Sequence, residues 1–208
     1  MRIVLDNIAK RFSDQWIFRS VNLEFEKGKS YAILGANGSG KSTLLQVISG
    51  FIVPSKGDVS FIKDKTIPKE KMYREIACAA PYMEVYEDLN LEEALSFQVK
   101  FKPLVKTENE ILEELDLPIN KKIADFSSGM KQKVKLALAL FADVPVLLLD
   151  EPTSNLDAKA KEWYSKKVSE IKKDRLILVC SNYQELEYSF TDEQIKMEDL
   201  KSEIKTVV

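Results

Sequence analysis

Apolar and polar positions along the chain fall into two periods. Residues 2–12, "RIVLDNIAKRF", and 17–28, "IFRSVNLEFEKG", carry strand-type patterning, clearest as alternation in the second, and predict a hairpin-like antiparallel pair. The short apolar run "SYAILG" (30–35) predicts a strand ending in glycine. "KSTLLQVISG" (41–50) predicts a helix closed by Gly50. "PSKGDVSFI" (54–62) reads as a turn and a strand, 63–75 as loop or short helix, and "EIACAAPY" (75–82) as a small-residue strand stopped by Pro81. Residues 90–116 hold the helix formers, with Asn90 and Thr107 as N-caps followed by acids. "SSGMKQKVKLALALFAD" (127–143) spaces Val134, Leu138 and Phe141 as one helix face. "VPVLLLDEP" (144–152) is a continuous apolar run, hence a strand buried on both faces. A helix over 157–173 and a strand over 175–180 follow, and the tail 194–206 alternates weakly. Strands alternating with helices imply an α/β fold with a mostly parallel central sheet and right-handed crossovers, extended by an antiparallel N-terminal part.

Composition narrows the class. Hydrophobic residues are 45% of the chain and charged residues 31%, ordinary for a globular domain of 208 residues. A net charge of −2 provides no basic field for nucleic acid. Lys131, Lys133 and Lys135 read as a solvated helix face. The apolar runs 136–142 and 144–149 fall short of the ~18 residues a membrane-spanning helix needs. Charges in "MRIVLDNIAKRF" argue against a signal peptide, so the expected location is the cytoplasm. Cys78 and Cys180 sit in apolar runs and read as small buried hydrophobes. With no histidine and two distant cysteines, the chain offers little to bind zinc, and no zinc site is expected.

The chemistry is carried by "GANGSGKST" (35–43), which fits G-x-x-x-x-G-K-[ST] between a strand and a helix. Gly35, Gly38 and Gly40, with Asn37 and Ser39 between them, allow a loop whose backbone N–H groups turn onto phosphate oxygens. Lys41 reaches the β- and γ-phosphates, Ser42 holds Mg²⁺, and Thr43 continues the helix whose positive end faces the anion. In "LLLDEP", Asp150 ends the buried strand as a second Mg²⁺ group, and Glu151 is placed to deprotonate a water. A polar strand-terminal turn is the bland alternative to that second motif.

Together these motifs resemble the ATP-binding subunits of ABC transporters over nearly the whole chain. "FSSGMKQK" (126–133) is similar to the family signature LSGGQ-x-Q-R, with Ser127 and Gly129 in place. "SNLD" (154–157) resembles the D-loop, with Asp157 at its acidic position. Phe12 stands where the family stacks an aromatic ring on adenine; Trp16 is a second candidate, and both rings fit strand core equally well. The resemblance implies one domain over 1–208 with a helical subdomain inserted at about 83–133. It implies a head-to-tail homodimer in which Ser127 and Gly129 complete the partner's ATP site. It also implies a membrane permease docked on residues about 82–104, with the subunit peripheral on the cytoplasmic face. Tyr82, Met83, Val85, Tyr86, Phe97 and Phe101 are candidates for an apolar groove there.

Two expected side chains are missing. The family's loop glutamine falls near Pro81 or Tyr82, leaving Tyr82 or Glu84 to substitute. The family's histidine is replaced by Asn182 in "LVCSNYQEL", which donates an N–H to a phosphate oxygen but carries no proton near neutral pH. A plain turn at Asn182 is the alternative. Removing one such donor costs ~10²–10³ in rate, so slowed hydrolysis is expected. The rival functional reading is an ATP-gated, weakly hydrolysing regulatory dimer.

Overall fold

The computed structural model describes residues 1–200. Its framework is two sheets. The first is antiparallel, in the order β2-β1-β4, from β1 (Arg2–Phe12), β2 (Gln15–Glu26) and β4 (Lys56–Ile62). The second has the order β5-β6-β7-β3-β8, from β3 (Ser30–Leu34), β5 (Ile76–Ala79), β6 (Val146–Asp150), β7 (Leu176–Ser181) and β8 (Glu193–Lys196), and every pairing in it is parallel. All residues of β3, β6 and β7 are buried, as their unbroken apolar runs require of strands covered on both faces.

Three apolar cores hold this frame. One joins the antiparallel sheet to the central sheet through Phe18, Phe25, Phe61 and Ile33, with Leu44 and Ile48 of α1 (Lys41–Ile48). A second lies under α4 (Ser128–Leu140) and α5 (Ala158–Ile171), with Leu136, Leu140, Tyr164 and Leu149 at its centre. The third is helical: Leu91 and Leu95 of α2 (Leu91–Val99), Ile111 and Leu115 of α3 (Glu108–Leu115), and Val134 and Phe141. Asn90 and Thr107 both close capping boxes, with Glu93 and Glu110, so each helix start satisfies two otherwise orphaned donors.

The structure differs from the sequence reading at several points. The alternating tail yields only the four-residue strand β8; its continuation from 201 lies outside the described residues. The one-turn helix α6 (Glu185–Tyr188) is too short to show a period. The lysines at 131, 133 and 135 are not a solvated face. Lys133 donates to Leu115 O at 2.6 Å, at the negative end of α3, Lys135 to Ala80 O at 3.0 Å, and Lys131 pairs with Glu87 at 2.7 Å. Of the two cysteines, Cys180 is buried as expected, whereas Cys78 is half-buried in a surface groove. Among the described residues no helix is long and apolar enough to cross a membrane.

Candidate active site

The site is built at the carboxyl ends of the parallel strands, where open α/β sheets expose loop backbone to ligands. β3 runs out at Leu34 and α1 begins at Lys41, with six residues between them. Gly40 has φ 104°, a conformation side chains resist, and a Cβ there would stand 2.5 Å from Ile17 Cγ2. The first turn of α1 contains no acid and no capping side chain, so its N–H groups face the loop unsatisfied. Lys41 is 4% exposed and donates to Gly35 O at 2.8 Å and Ala36 O at 3.2 Å, folding its ammonium back over the loop. Ser39 Oγ is buried with no partner. The loop closes a cavity of about 220 Å³ with Asn37, Gly38, Gly40, Lys41, Ser42 and Thr43, together with Ile17 and Glu151.

Asp150 ends β6. It is fully buried, and neither carboxylate oxygen has a hydrogen-bond partner. Burial pushes its pKa up to about 6, against the pull of the Ser42 hydroxyl and the Lys41 ammonium, and Glu151 and Glu187 add to the push. Glu151 follows with φ 45°, a left-handed backbone held by its N–H donating to Cys180 O at 3.0 Å. A second cavity of about 240 Å³ is lined by Asn37, Glu151, Asn155, Lys161, Asn182 and Glu187 among others. Asn37 and Glu151 line both cavities, so the two are neighbours, and Asn182 shares the second with Glu151.

Ser127, Gly129 and Asp157 lie elsewhere. They line a third cavity, of about 410 Å³, with Asn155, Lys133 and Asp116. Ser127 Oγ caps α4 by accepting from Met130 N at 3.2 Å, and Asp157 caps α5 by accepting from Ala160 N at 2.8 Å. Gly129 is packed against the 154–157 turn: a Cβ would stand 2.6 Å from Asn155 O. Phe12, 50% exposed with the Lys10 ammonium 5.0 Å from its ring, lines neither cavity at the glycine loop; Ile17 is the hairpin residue that does. Trp16 lies under Arg19, Arg11 and Lys56, at 4.8, 5.6 and 6.0 Å from its ring.

Tyr82 turns its hydroxyl into the protein, where it is buried and unpartnered, with its ring 6.0 Å from Phe51. Burial raises its pKa. Met83, Glu84, Val85, Tyr86 and Phe97 line a groove of about 290 Å³; Tyr82 and Phe101 do not, although Phe101 packs 5.0 Å from Phe97. The sequence reading missed Phe51 and Tyr73 as groove residues because they come from distant segments. It also missed Gln132 and Glu187. Gln132 Nε2 donates to Pro152 O at 3.0 Å and so ties α4 to the residue after Glu151; its signal was its place in the signature-like stretch.

A glycine loop between strand and helix, with a carboxylate pair at the end of a parallel strand one removed from it in the sheet, defines a P-loop nucleoside triphosphatase. The ABC transporter family profile matches residues 18–154. The ABC transporter ATP-binding protein YybJ of Bacillus subtilis (strain 168) is 30% identical, over 92% of this chain and 90% of that protein. YkpA of the same strain, also an ABC transporter ATP-binding protein, is 31% identical over 90% of this chain, which spans only 42% of it. A solved structure of the ATP-binding subunit of an ABC transporter superposes with a TM-score of 0.82 at 26% identity, over 94% of this chain and 85% of that one. The chain belongs to the ABC transporter family, among its ATP-binding proteins.

Proposed function

We propose that this chain is the ATP-hydrolysing motor subunit of an ABC transporter, and that its site residues act as follows. The loop 35–40 and the start of α1 hold the triphosphate by backbone N–H groups, and Lys41 exchanges its two loop carbonyls for phosphate oxygens. Glu151 accepts the proton of the attacking water. Asn182 donates an amide N–H to the γ-phosphate, which then leaves on the water oxygen as the bond to ADP breaks. The reading is carried by one observation: Glu151 and Asn182 share a cavity that adjoins the one lined by Lys41 and Ser42.

Ser42 and Asp150 fit a Mg²⁺ ion. A buried carboxylate with both oxygens unbonded is costly alone and natural beside a cation. Among the described residues no cluster of three or more His, Cys, Asp or Glu could hold a metal, which suits an ion that takes its other ligands from phosphate and water. When bound, Mg²⁺ neutralises charge on the β- and γ-phosphates.

Two copies arranged head to tail complete the site. Ser127, Gly129 and Asp157 gather in a cavity apart from the glycine loop, as expected of groups that serve the partner's nucleotide. The groove beside residues 82–104 receives a membrane permease on the cytoplasmic face, with exposed Phe51, Tyr86 and Phe101 as its apolar rim. Phe12 provides the adenine platform. A second reading, an ATP-gated dimer that scarcely turns over, draws on Asn182 and on Tyr82, whose hydroxyl points inward.

The test is ATPase activity against Glu151→Gln as the blank. Wild type is expected to exceed it by at least tenfold, and Glu151→Gln to elute as a dimer with saturating ATP and Mg²⁺. Equal rates favour the second reading; monomers only would overturn the shared site.

A further inference from the structure

Glu187 is a carboxylate with 1% exposure on α6, and none of the described ion pairs includes it. Both of its oxygens are hydrogen-bonded. Oε1 accepts from Thr153 N at 3.0 Å and from Thr153 Oγ1 at 2.7 Å. Oε2 accepts from Ser181 Oγ at 2.5 Å. Ser181 Oγ in turn accepts from Gln184 N at 3.1 Å, which sets the turn around Asn182. The backbone of Glu187 is itself fixed, because buried Tyr164 donates its hydroxyl to Glu187 O at 3.2 Å from α5.

The two clamped residues flank the chemistry. Thr153 stands two positions after Glu151, and Ser181 one before Asn182. Burying an anion without a cation is unfavourable, and this one also opposes ionisation of Asp150. Apolar packing would fill the space at lower cost. What an apolar residue cannot do is hold both loops in one register through a single rigid group.

We propose that Glu187 is a positioning residue for hydrolysis, a buried brace that locks the loop after Glu151 to the turn bearing Asn182. It rests on the reading of Glu151 and Asn182 as the hydrolytic pair. Glu187 lines the cavity that Glu151 and Asn182 share and acts through their two loops. Movement of one loop is transmitted to the other through its two oxygens, so base and phosphate donor arrive together.

The test is Glu187→Gln, which keeps the shape but has one acceptor oxygen. Its kcat is expected to fall about 10- to 100-fold with KM for ATP within about twofold, the pattern of misplaced rather than missing groups. Ser181→Ala, which removes one arm, and Thr153→Val, which removes the hydroxyl bond and keeps the main-chain N–H bond at 153, are expected to give smaller losses that do not add to that of Glu187→Gln. Hydrogen exchange read without nucleotide is expected to quicken in Glu187→Gln at both 151–155 and 181–184, with β3 and β6 unchanged. Unchanged kcat in Glu187→Gln would overturn the brace. So would exchange that quickens in one loop only, or equally in the core strands. If wild type hydrolyses ATP no faster than Glu151→Gln, the functional reading fails instead, and the exchange pattern still decides whether Glu187 couples the loops.

Discussion

At the scale of single residues, Asp150 is held in a state the fold does not favour by itself. Its pKa stands at about 6 instead of 3.8, because burial penalises its charge. The folded protein binds that proton more tightly than the unfolded chain does. The cost is therefore absent below pH 3.8, grows as pH rises through the window up to about 6, and is complete above it. Two pH units amount to roughly 3 kcal/mol. Asp150→Asn is expected to raise the Tm of nucleotide-free, chelator-treated protein at pH 8 by about 6–10 °C. The gain should shrink at pH 5.5 in the same melts. The variant should lose ATPase activity. Asn182→His is expected to raise kcat and to introduce a pH limb near ~6.5, because the chain has no other imidazole; a flat pH–rate profile in that variant would count against Asn182 as the phosphate donor. Gly129→Ala drives a methyl onto Asn155 O, so we expect it to remove ATP-dependent dimers from gel filtration while leaving nucleotide binding intact.

At the scale of elements, the reading from sequence and the structure agree where the signal is local. Both helix caps at Asn90 and Thr107 were legible, because a capping box is written within four residues. So were the buried strands β6 and β7 and the glycine loop. The strand order β5-β6-β7-β3-β8 was not, since nothing in a strand's own residues names its neighbours. Lys133 and Lys135 misled for the same reason: the carbonyls they cap belong to segments remote in sequence. Glu187 was invisible because one of its two side-chain partners, Thr153, lies 34 positions away. A further tie of this kind is Glu114 on α3, which meets buried Lys167 at 2.7 Å, Lys106 at 2.7 Å and Trp163 Nε1 at 3.1 Å. It joins the helical cluster to α5. Glu114→Leu is expected to destabilise by about 3 kcal/mol, read in urea melts, since it leaves the Lys167 ammonium with Glu170 alone.

At the scale of the whole molecule, the functional groups are divided between two surfaces. Lys41, Ser42, Glu151 and Asn182 gather on one, and Ser127, Gly129 and Asp157 on another. Asn155 lines cavities on both, so the 154–157 turn joins the two surfaces. A head-to-tail pair makes a sharp expectation. Lys41→Ala and Ser127→Glu should each be inactive alone. Mixed together, they should regain about a quarter of wild-type ATPase, because half of randomly formed dimers are mixed and each has one intact site. No recovery on mixing would exclude shared sites. The chain contains two indoles, and they report on different regions. Trp163 is anchored to Glu114 in the helical cluster, whereas Trp16 lies beneath three cations on the hairpin strand whose Ile17 lines the phosphate cavity. With Trp163 replaced by phenylalanine, the remaining fluorophore becomes a built-in optical probe. A change in its emission as nucleotide is titrated would follow docking in real time, without any dye attached.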